Sequence, residues 1–356
     1  MTLRIIGFPS LYVQGPAALR ELPRCVEAIS ARGRPAAIVD PFVVPLFEEI
    51  AAATEMEVVT FSGECTQREI SRLTDLLSGQ SVGVILGAGG GKALDTAKMV
   101  AHALGVPIII VPTVASSDAP TSRIAAIYDD NHKIISVPKL RRNPDAVIVD
   151  TDIIRRAPPR FFAAGIGDAI TKKYEVSESA RAGNLNFFDA SQTRLSLLLA
   201  EECGETLYRE ARSALAAVRE GRDDPSIERV VEATVLYSGL AFEGGGLSIA
   251  HGLLRGLTER PETQSVLHGE LVAYGTLVQL VLAAAPDAEI EKLRRFLVDL
   301  DLPVTLAQIG LGGLDRPAID RIAEATFDAA YVASQITTRG ISPESLAEAI
   351  VATEAL

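Results

Sequence analysis

The chain has 356 residues, more than a single hydrophobic core usually serves, and its 48% hydrophobic and 22% charged residues are ordinary globular composition. Its formal net charge of −12 argues against a nucleic-acid partner, whose phosphates need a basic face, and against docking on an anionic membrane surface. We therefore expect two domains, with neither nucleic acid nor a membrane as partner.

The sequence favours a cytoplasmic location. Its apolar runs, such as PIIIVPT and LVQLVLAAA, fall well short of the roughly 18 residues that a spanning helix needs. The start, MTLRIIGFPSLY, lacks the charged and apolar regions of a secretory signal. Cys25, Cys65 and Cys203 are far apart, odd in number and without a CxxC pair. This pattern is typical of free thiols in a reducing compartment.

The part of the chain up to Asp150 alternates strand-like and helix-like segments. Short apolar runs have the length and composition of parallel strands buried on both faces. They are PAAIVD (35–40), EVVTFSG (57–63), VGVILG (82–87), PIIIVPT (107–113) and DAVIVD (145–150). Between them, VVPLFEEIAAAT, TQREISRLTDLL and GKALDTAKMVAHAL have helical patterns. The alternation predicts an open α/β sheet.

A glycine cluster, LGAGGGKALDTAK (86–98), joins the third of these runs to a helix. Glycines let backbone N–H groups approach an anion, and the helix N-terminus adds its positive dipole, so a diphosphate is the natural ligand. Leu86 and Ala93 exclude the triphosphate P-loop, and Lys92 stands where the dinucleotide fingerprint GxGxxG has its last glycine. A tight turn without a ligand is the alternative.

Two further features follow strand-like runs. The loop in VPTVASSDAPTSRIAAIYDD (111–130) is dense in Thr, Ser and Asp at the strand edge where open sheets bind ligands, although these residues also favour ordinary turns. Asp40 ends an apolar run. A carboxylate there either accepts hydrogen bonds from a ribose 2′-hydroxyl or caps a helix.

Beyond Asp150 the β-branched runs give way to amphipathic segments rich in Leu, Ala, Glu and Arg, which are good helix formers. Pro158 and Pro159 mark the change. We expect one domain over residues 1–157 and a helical one over residues 158–356.

Two of the four histidines, His251 and His268, lie in the segment FEGGGLSIAHGLLRGLTERPETQSVLHGE, and each is followed by glycine. Asp168, in GIGDA, is expected early in a helix after a glycine-containing turn. Zinc and iron sites of enzymes commonly take three ligands from His and carboxylate. Spacing alone leaves two interpretations open, metal ligands or structural histidines.

Blocks in order along nearly the whole chain resemble the glycerol dehydrogenases of the iron-containing (group III) alcohol dehydrogenase superfamily. They are FSGECTQREISRL, GAGGGKALDTAKMVAHALGVP, PTVASSDAPTSRIAAIYDD, NPDAVIVDT, GIGDA, SGLAFEGGGLSIAH and HGELVAYGTLVQL. The resemblance implies a Rossmann-like α/β domain over residues 1–157 that binds the dinucleotide. It also implies an all-helical domain over 158–356 that binds metal and substrate, with the active site in the cleft between the two.

The same resemblance implies the roles of individual residues. Asp168, His251 and His268 match the metal ligands, with zinc usual in glycerol dehydrogenases and iron in sister branches. Asp118 matches a catalytic acid beside the substrate and the nicotinamide. The positions that match the cofactor site are Asp40, Phe42, Gly89, Gly90, Gly91, Lys92, Asp95, Thr113, Ser116, Ser122, Ile124 and Tyr128. Asp40 indicates NAD, because its carboxylate would repel the 2′-phosphate of NADP.

The implied activity is the NAD-dependent oxidation of glycerol, or a related vicinal diol, to dihydroxyacetone or the matching α-hydroxy ketone by metal-assisted hydride transfer. One alternative is a dehydrogenase of the same family for a hydroxy acid or a polyol phosphate. Others are a dehydroquinate-synthase-like enzyme that uses NAD and metal catalytically, and a cofactor-binding protein without catalysis. Because the family tends to form homo-oligomers, often octamers, we expect a homo-oligomer.

The chain departs from the family pattern near the implied site. Leu254 and Arg255 stand where glycerol enzymes commonly have His and Asn. Leu271 replaces the lysine of HGEK, and Arg123 replaces a small residue. A late His-Asn pair is missing from FDAAYVASQITTRG. Arg123 or Arg255, if near the substrate, would favour a substrate that carries a carboxylate or phosphate. If both arginines face solvent, they indicate nothing about the substrate.

Overall fold

The computed structural model describes residues 3–30, 33–130, 132–327 and 340–356. The chain forms two compact units. One is Gly7–Pro158, called the α/β unit below; the other, called the helical unit, combines Pro159–Leu356 with an N-terminal segment that ends at Ile6. We predicted a change of domain between residues 157 and 158, and the sequence did not indicate that the first residues join the helical unit.

Backbone hydrogen bonds fix the N-terminal segment to the helical unit. The carbonyl of Leu3 accepts a hydrogen bond from the Ser191 N–H at 2.8 Å. The carbonyl of Ile5 accepts one from the Asn186 side-chain amide at 2.8 Å. Residues that precede the α/β unit in the chain are therefore part of the helical unit.

Strands define the α/β unit. In chain order they are β1 (Leu11–Gly15), β2 (Arg34–Val39), β3 (Glu57–Thr60), β4 (Val82–Gly89), β5 (Ile108–Pro112), β6 (Ile127–Tyr128), β7 (Ile134–Ser136) and β8 (Ala146–Asp150). Six of them form a parallel sheet in the order β1-β8-β5-β4-β2-β3, and β6 pairs with β7 antiparallel. The apolar runs of β5 and β8 are buried along their whole length, as expected for central parallel strands.

Helices connect the parallel strands, as crossover connections require. They are α1 (Leu22–Ile29), α2 (Val44–Thr54), α3 (Gln67–Ser78) and α4 (Gly91–Leu104), whereas α5 (Thr151–Arg156) follows the last strand, β8. Thr66 caps α3 by accepting a hydrogen bond from the Glu69 N–H at 3.2 Å. One face of the sheet packs with Leu22, Phe47 and neighbouring apolar side chains in a single buried cluster.

Helices make up the regular structure in the described part of the helical unit. They are α6 (Pro159–Ile170), α7 (Lys172–Arg181), α8 (Arg194–Glu220), α9 (Pro225–Glu232), α10 (Ser238–Gly245), α11 (Ile249–Gly252), α12 (Leu254–Thr258), α13 (His268–Leu282), α14 (Asp287–Asp299), α15 (Arg316–Phe327) and α16 (Pro343–Thr353). A π-helical turn, Ala233–Tyr237, joins α9 to α10. Helix α13 is buried over almost its whole length and packs in the apolar core of this unit.

The predicted fold class, a Rossmann-like α/β part followed by a helical part, is confirmed. One local prediction is wrong: Asp168 does not lie early in a helix after a glycine turn but near the end of α6, and Gly165 and Gly167 are helical residues. Over the described ranges, no helix is both long and apolar enough to cross a bilayer.

Candidate metal centre and nucleotide-binding loops

Asp168, His251 and His268 come together in the helical unit. One ligand atom from each lies within 4.8 Å of the others. Oδ1 of Asp168 is 3.3 Å from Nε2 of His251 and 4.0 Å from Nε2 of His268. Three helices supply them, since Asp168 is in α6, His251 in α11 and His268 at the start of α13. The structure thus brings together side chains that are far apart in the sequence.

Glycines beside these ligands let the three helices approach closely. A Cβ on Gly269 would lie 1.8 Å from the carbonyl oxygen of Ala164, and one on Gly167 would lie 2.6 Å from the carbonyl oxygen of Gly269. Helices α6 and α13 therefore touch backbone to backbone beside Asp168 and His268. A Cβ on Gly275 would lie 2.6 Å from the carbonyl oxygen of Ala250, which brings α13 equally close to α11. The helices that carry the three side chains are therefore packed backbone to backbone at these glycines.

Glu175 fixes the orientation of His251. Oε2 of Glu175 lies 2.6 Å from Nδ1 of His251, and Oε1 accepts hydrogen bonds from the N–H groups of Ser248 and His251, each at 3.0 Å. Glu175 is fully buried. An Nδ1–H donated to this carboxylate leaves Nε2, the nitrogen that faces Asp168, as the metal-binding atom. A carboxylate behind a ligand histidine is common in metal sites and makes the histidine a better ligand.

Neighbouring charges and burial shift the pKa values of the three converging side chains. Burial acts to raise the pKa of Asp168, but the charge of Lys172 and the hydrogen bond from His251 outweigh it and hold the pKa well below its usual range. Burial acts to lower the pKa of His251, yet the charge of Glu175 prevails and raises it to about 9. Partial desolvation of the His268 ring, whose side chain is 43% exposed, lowers its pKa. Asp168 is thus kept ionised beside the two histidines.

These residues fit a divalent transition metal. Two imidazoles and one carboxylate form the donor set that zinc and iron enzymes use, and the three ligands leave coordination positions for substrate. Within the described ranges, no second group of three His, Cys, Asp or Glu ligand atoms lies close enough together to hold an ion.

In the α/β unit, the carboxyl ends of β2, β4 and β5 meet at one edge because the three strands are parallel neighbours. Asp40 follows β2, Gly89 ends β4 and Thr113 follows β5. Gly89 has φ 146°, and a Cβ there would lie 2.8 Å from Cβ of Asp40. The Thr113 N–H donates to the carbonyl of Gly89 at 3.1 Å. The structure therefore gathers at this edge three of the residues that the resemblance assigns to dinucleotide binding, Asp40, Gly89 and Thr113.

The glycine loop leads directly into helix α4. Gly90 is the residue before the helix, and Gly91 and Lys92 are its first residues. The positive end of a 14-residue helix thus lies at the loop, as in phosphate sites. A Cβ on Gly91 would lie 3.5 Å from Oγ of Ser117, so the loop after β5 packs against the glycine loop.

Asp95 is engaged inside the α/β unit. Its Oδ1 accepts a hydrogen bond from Nζ of Lys98 at 3.1 Å, and its Oδ2 accepts one from the Ala126 N–H at 2.8 Å. Lys98 is also buried and donates to the carbonyls of Ala119 and Ile124 at 2.6 and 2.9 Å. Asp95 and Lys98 together hold the loop after β5 in place.

Lys92 has a carboxylate partner in the structure. Its Nζ lies 2.6 Å from Oε2 of Glu64 and 4.7 Å from the centre of the Tyr128 ring. The same Glu64 oxygen contacts Nδ1 of His132. A phosphate at the glycine loop would meet a lysine that already has an acidic neighbour.

The remaining predicted cofactor residues, and the predicted catalytic residue Asp118, differ in exposure. Phe42 is 94% exposed and follows Asp40, whose carboxylate accepts from the Phe42 N–H at 3.1 Å. Ser122 and Asp118 are buried, and Ser116 and Ile124 are half-buried. These side chains all lie on the loop between β5 and β6, apart from Phe42.

The departures from the family pattern have different surroundings. Leu254 is buried in the apolar core of the helical unit, packed in one cluster with Leu257 and Ile322. Arg123 and Arg255 are half-buried. The missing His-Asn pair falls within 328–339, outside the described residues.

Sequence analysis missed Lys172, Glu175 and Lys98. Asp168, Lys172 and Glu175 are spaced i, i+4 and i+7, so they share one helical face. An acidic and a basic residue at that spacing ordinarily form a solvent-exposed ion pair. The sequence therefore gives no sign that these three side chains are buried.

Comparison with known proteins identifies the family. Residues 9–151 match the family model of iron-containing alcohol dehydrogenases. A glycerol dehydrogenase from Escherichia coli is 41% identical, with coverage of 90% of this chain and 88% of that protein. A glycolaldehyde reductase from Halobacterium salinarum is 38% identical, with coverage of 90% and 89%.

The structural comparison extends over the same length. The crystal structure of glycerol dehydrogenase from Schizosaccharomyces pombe matches with a TM-score of 0.93 and 33% identity, covering 100% of this chain and 91% of that one. Such identity over nearly the full length of several relatives decides the assignment: the chain belongs to the iron-containing alcohol dehydrogenase family.

Proposed function

We propose that the protein is an NAD-dependent dehydrogenase that oxidises glycerol, or a related vicinal diol, to the α-hydroxy ketone. The observation that carries this proposal is the convergence of Asp168, His251 and His268 in a chain 41% identical to a glycerol dehydrogenase. Glycerol would give dihydroxyacetone. Zinc is the metal that we propose, with iron as the alternative, and a homo-oligomer stays a prediction.

The metal ligands in this proposal are the three converging side chains. Asp168 supplies Oδ1, and the two histidines supply Nε2. Glu175 holds Nδ1 of His251 and so keeps the ring turned toward the site. When bound, the metal supplies a Lewis acid that lowers the pKa of a carbinol hydroxyl, and the nicotinamide supplies the hydride acceptor.

The α/β unit binds the dinucleotide in this proposal. The backbone of Gly89–Gly91 and the start of α4 receive the diphosphate. The Asp40 carboxylate accepts hydrogen bonds from the ribose hydroxyls and selects NAD over NADP by repelling a 2′-phosphate. Lys98 and Asp95 keep the loop after β5 in its binding conformation. Asp118, on the same loop, orients the substrate hydroxyl and accepts its proton.

The substrate class follows from the donor set. Two adjacent oxygens on a substrate can chelate one metal, which favours 1,2-diols and α-hydroxy ketones over simple alcohols. A second candidate is the reduction of a small α-hydroxy aldehyde, because a glycolaldehyde reductase is 38% identical to this chain. Both candidates use an oxygen next to the reacting carbon.

A substrate panel with metal analysis tests the proposal. Purified protein, loaded in turn with zinc and iron(II), is mixed with NAD and with glycerol, propane-1,2-diol or ethylene glycol, and the absorbance of reduced nicotinamide is followed. Glycolaldehyde and dihydroxyacetone with reduced NAD test the reverse direction. We expect turnover with a vicinal diol and a preference for NAD over NADP. The absence of turnover with every diol and α-hydroxy carbonyl, in metal-loaded protein, would overturn the proposal.

Two controls separate the alternatives. Net formation of reduced NAD excludes a synthase that uses NAD catalytically, because such an enzyme returns its cofactor to the starting state. An Asp40→Ser variant should lose discrimination against NADP while its bound metal is unchanged. A variant with unaltered discrimination would show that another residue selects the cofactor.

A further inference from the structure

A buried lysine lies against the proposed metal site. Lys172 and Asp168 are both fully buried. Nζ of Lys172 donates to Oδ1 of Asp168 at 2.7 Å, to the carbonyl of Asp168 at 2.9 Å and to Oγ1 of Thr171 at 3.3 Å. The lysine begins α7 and is separated from the end of α6 by Thr171 alone, so its side chain reaches back over the turn that carries Asp168.

Lys172 contacts the carboxylate oxygen that faces the histidines. Oδ1 of Asp168 lies 3.3 Å from Nε2 of His251 and 4.0 Å from Nε2 of His268, and it is also the acceptor of the Lys172 hydrogen bond. A metal ion at roughly 2.1 Å from this oxygen would lie no more than about 4.8 Å from the ammonium nitrogen. Neither side chain is exposed, so water screens little of the interaction between the two cations.

We propose that Lys172 sets the metal affinity of this site, and that it weakens binding of a divalent ion. The proposal rests on the metal site proposed above. A buried carboxylate without a cation is costly, and the ammonium meets that need when the metal is absent. When a divalent ion binds the same oxygen, the ammonium repels it. Lys172 is therefore a positioning residue that stabilises the metal-free protein and makes its metal exchangeable.

The adjacent lysine provides a matched control. Lys173 is next in the sequence, but its Nζ pairs with Glu201 and, at 2.8 Å, with Glu205 on α8. Its side chain is 15% exposed. Replacement of either lysine by glutamine removes one positive charge from α7, and only the change at 172 removes it from the metal ligand. A difference between the two variants therefore reports position and not net charge.

The experiment measures zinc affinity at one fixed pH by competition with a chromogenic chelator. The proteins are the wild type, Lys172→Gln and Lys173→Gln. Glutamine keeps a hydrogen-bond donor for Asp168 and lacks the charge. We expect zinc to bind Lys172→Gln at least about tenfold more tightly than the wild type, and Lys173→Gln to match the wild type. The zinc-induced rise in melting temperature should also be larger for Lys172→Gln, because its metal-free form is less stable.

Folding problems in the metal-free variant do not prevent the test. Protein purified with zinc is mixed with excess chelator, and the rate of zinc loss is measured. A rate at least about tenfold slower in Lys172→Gln supports the proposal. Equal or faster loss in a correctly folded Lys172→Gln overturns it.

Failure of the metal site itself has a different signature. If the wild type, Lys172→Gln and His268→Ala all bind zinc, cobalt and iron(II) equally poorly, the proposed metal site is wrong and the role of Lys172 is overturned with it. If the wild type binds metal, His268→Ala does not, and Lys172→Gln equals the wild type, only the role of Lys172 is overturned.

Discussion

The two candidate sites of this protein are built in different ways. The candidate dinucleotide loop of the α/β unit is mostly backbone: a glycine run between β4 and α4, beside a second loop after β5. The candidate metal centre of the helical unit is made of side chains from α6, α11 and α13. A backbone site is contiguous in sequence, whereas a side-chain site depends on how distant helices pack.

The difference predicts separate failure of the two sites. Substitutions around Asp168 should change metal binding and leave nucleotide binding intact, and substitutions around the glycine loop should do the reverse. Each unit has its own buried lysine–aspartate pair, Lys172 with Asp168 and Lys98 with Asp95. The following variants test how independent the two sites are.

Loss of a metal ligand should have the largest effect. In His268→Ala we expect bound zinc to disappear and the rate of glycerol oxidation to fall by at least about a thousandfold. NAD affinity, measured by fluorescence titration, should change by less than about twofold, because the substitution alters no residue of the candidate nucleotide-binding loops. His102→Ala, an exposed histidine of α4, is the control. Retention of zinc by His268→Ala would remove this histidine from the ligand set.

Separation of α6 from α13 should come next. A Cβ on Gly269 would lie 1.8 Å from the carbonyl oxygen of Ala164, so Gly269→Ala must push the helices apart. We expect a loss of about 3 kcal/mol in the free energy of unfolding and weaker zinc binding, measured by chemical denaturation and chelator competition. Gly79→Ala, where a Cβ meets open space, is the control. Unchanged zinc affinity would show that ligand spacing does not depend on this contact.

Glu175→Gln should weaken the metal site without abolishing it. Glutamine can still accept from the N–H groups of Ser248 and His251, but it lacks the negative charge behind the His251 ring. Zinc affinity should fall by about 10- to 100-fold, measured by chelator competition, while NAD affinity stays the same. Glu178→Gln on the same helix should match the wild type. Wild-type zinc affinity in Glu175→Gln would mean that the charge is dispensable.

Lys98→Met should give the converse result in the α/β unit. Loss of its hydrogen bonds to the carbonyls of Ala119 and Ile124 frees the loop after β5. We expect the KM for NAD to rise by about tenfold with no change in zinc affinity. Arg68→Ala, which removes an exposed ion pair with Asp130, is the control. A change in zinc affinity without any change in the KM for NAD would contradict the separation of the two sites.

The smallest effect concerns acid stability. Burial acts to raise the pKa of Glu69, but hydrogen bonds from Arg72 and Ser62 prevail and lower it. The carboxylate therefore stabilises the fold above the usual glutamate pKa, and that contribution is lost as the pH falls through the lowered folded value. Glu69→Gln should be less stable than the wild type by about 1 kcal/mol near neutral pH. The difference should shrink on acidification, as measured by urea unfolding, and a constant difference would assign the effect to something other than ionisation.

Most of the sheet was predictable, because continuous apolar runs such as those of β5 and β8 occur in central parallel strands. Strand β1 was missed since its residues are only partly buried and no continuous apolar run marks it. The helix position of Asp168 was wrong because glycines were taken as a turn signal. Gly167 instead lets α6 and α13 approach closely, which only the tertiary structure reveals.

The two candidate sites also differ in how far the sequence predicted them. The glycine loop and Asp40 were visible as local patterns beside predicted strands. The metal ligands came from family resemblance, since the spacing of Asp168, His251 and His268 carries no periodicity. Lys172 and Glu175 could not be predicted, because charged residues at helical spacing usually face water and burial depends on packing partners distant in the chain.

The N-terminal segment has a consequence for synthesis of the protein. Leu3 and Ile5 form hydrogen bonds with Ser191 and Asn186. Because these partners lie much later in the sequence, the segment leaves the ribosome long before they do. The α/β unit, which lies between the segment and these partners in the sequence, can complete its sheet before the partners are synthesised. Domains fold as units during translation, so the nascent chain should acquire the α/β unit first and close the helical unit last. A bulky protein fused to the N-terminus would then hinder folding of the helical unit, which folds late. In the sequence, however, the fusion lies near the α/β unit, which folds early.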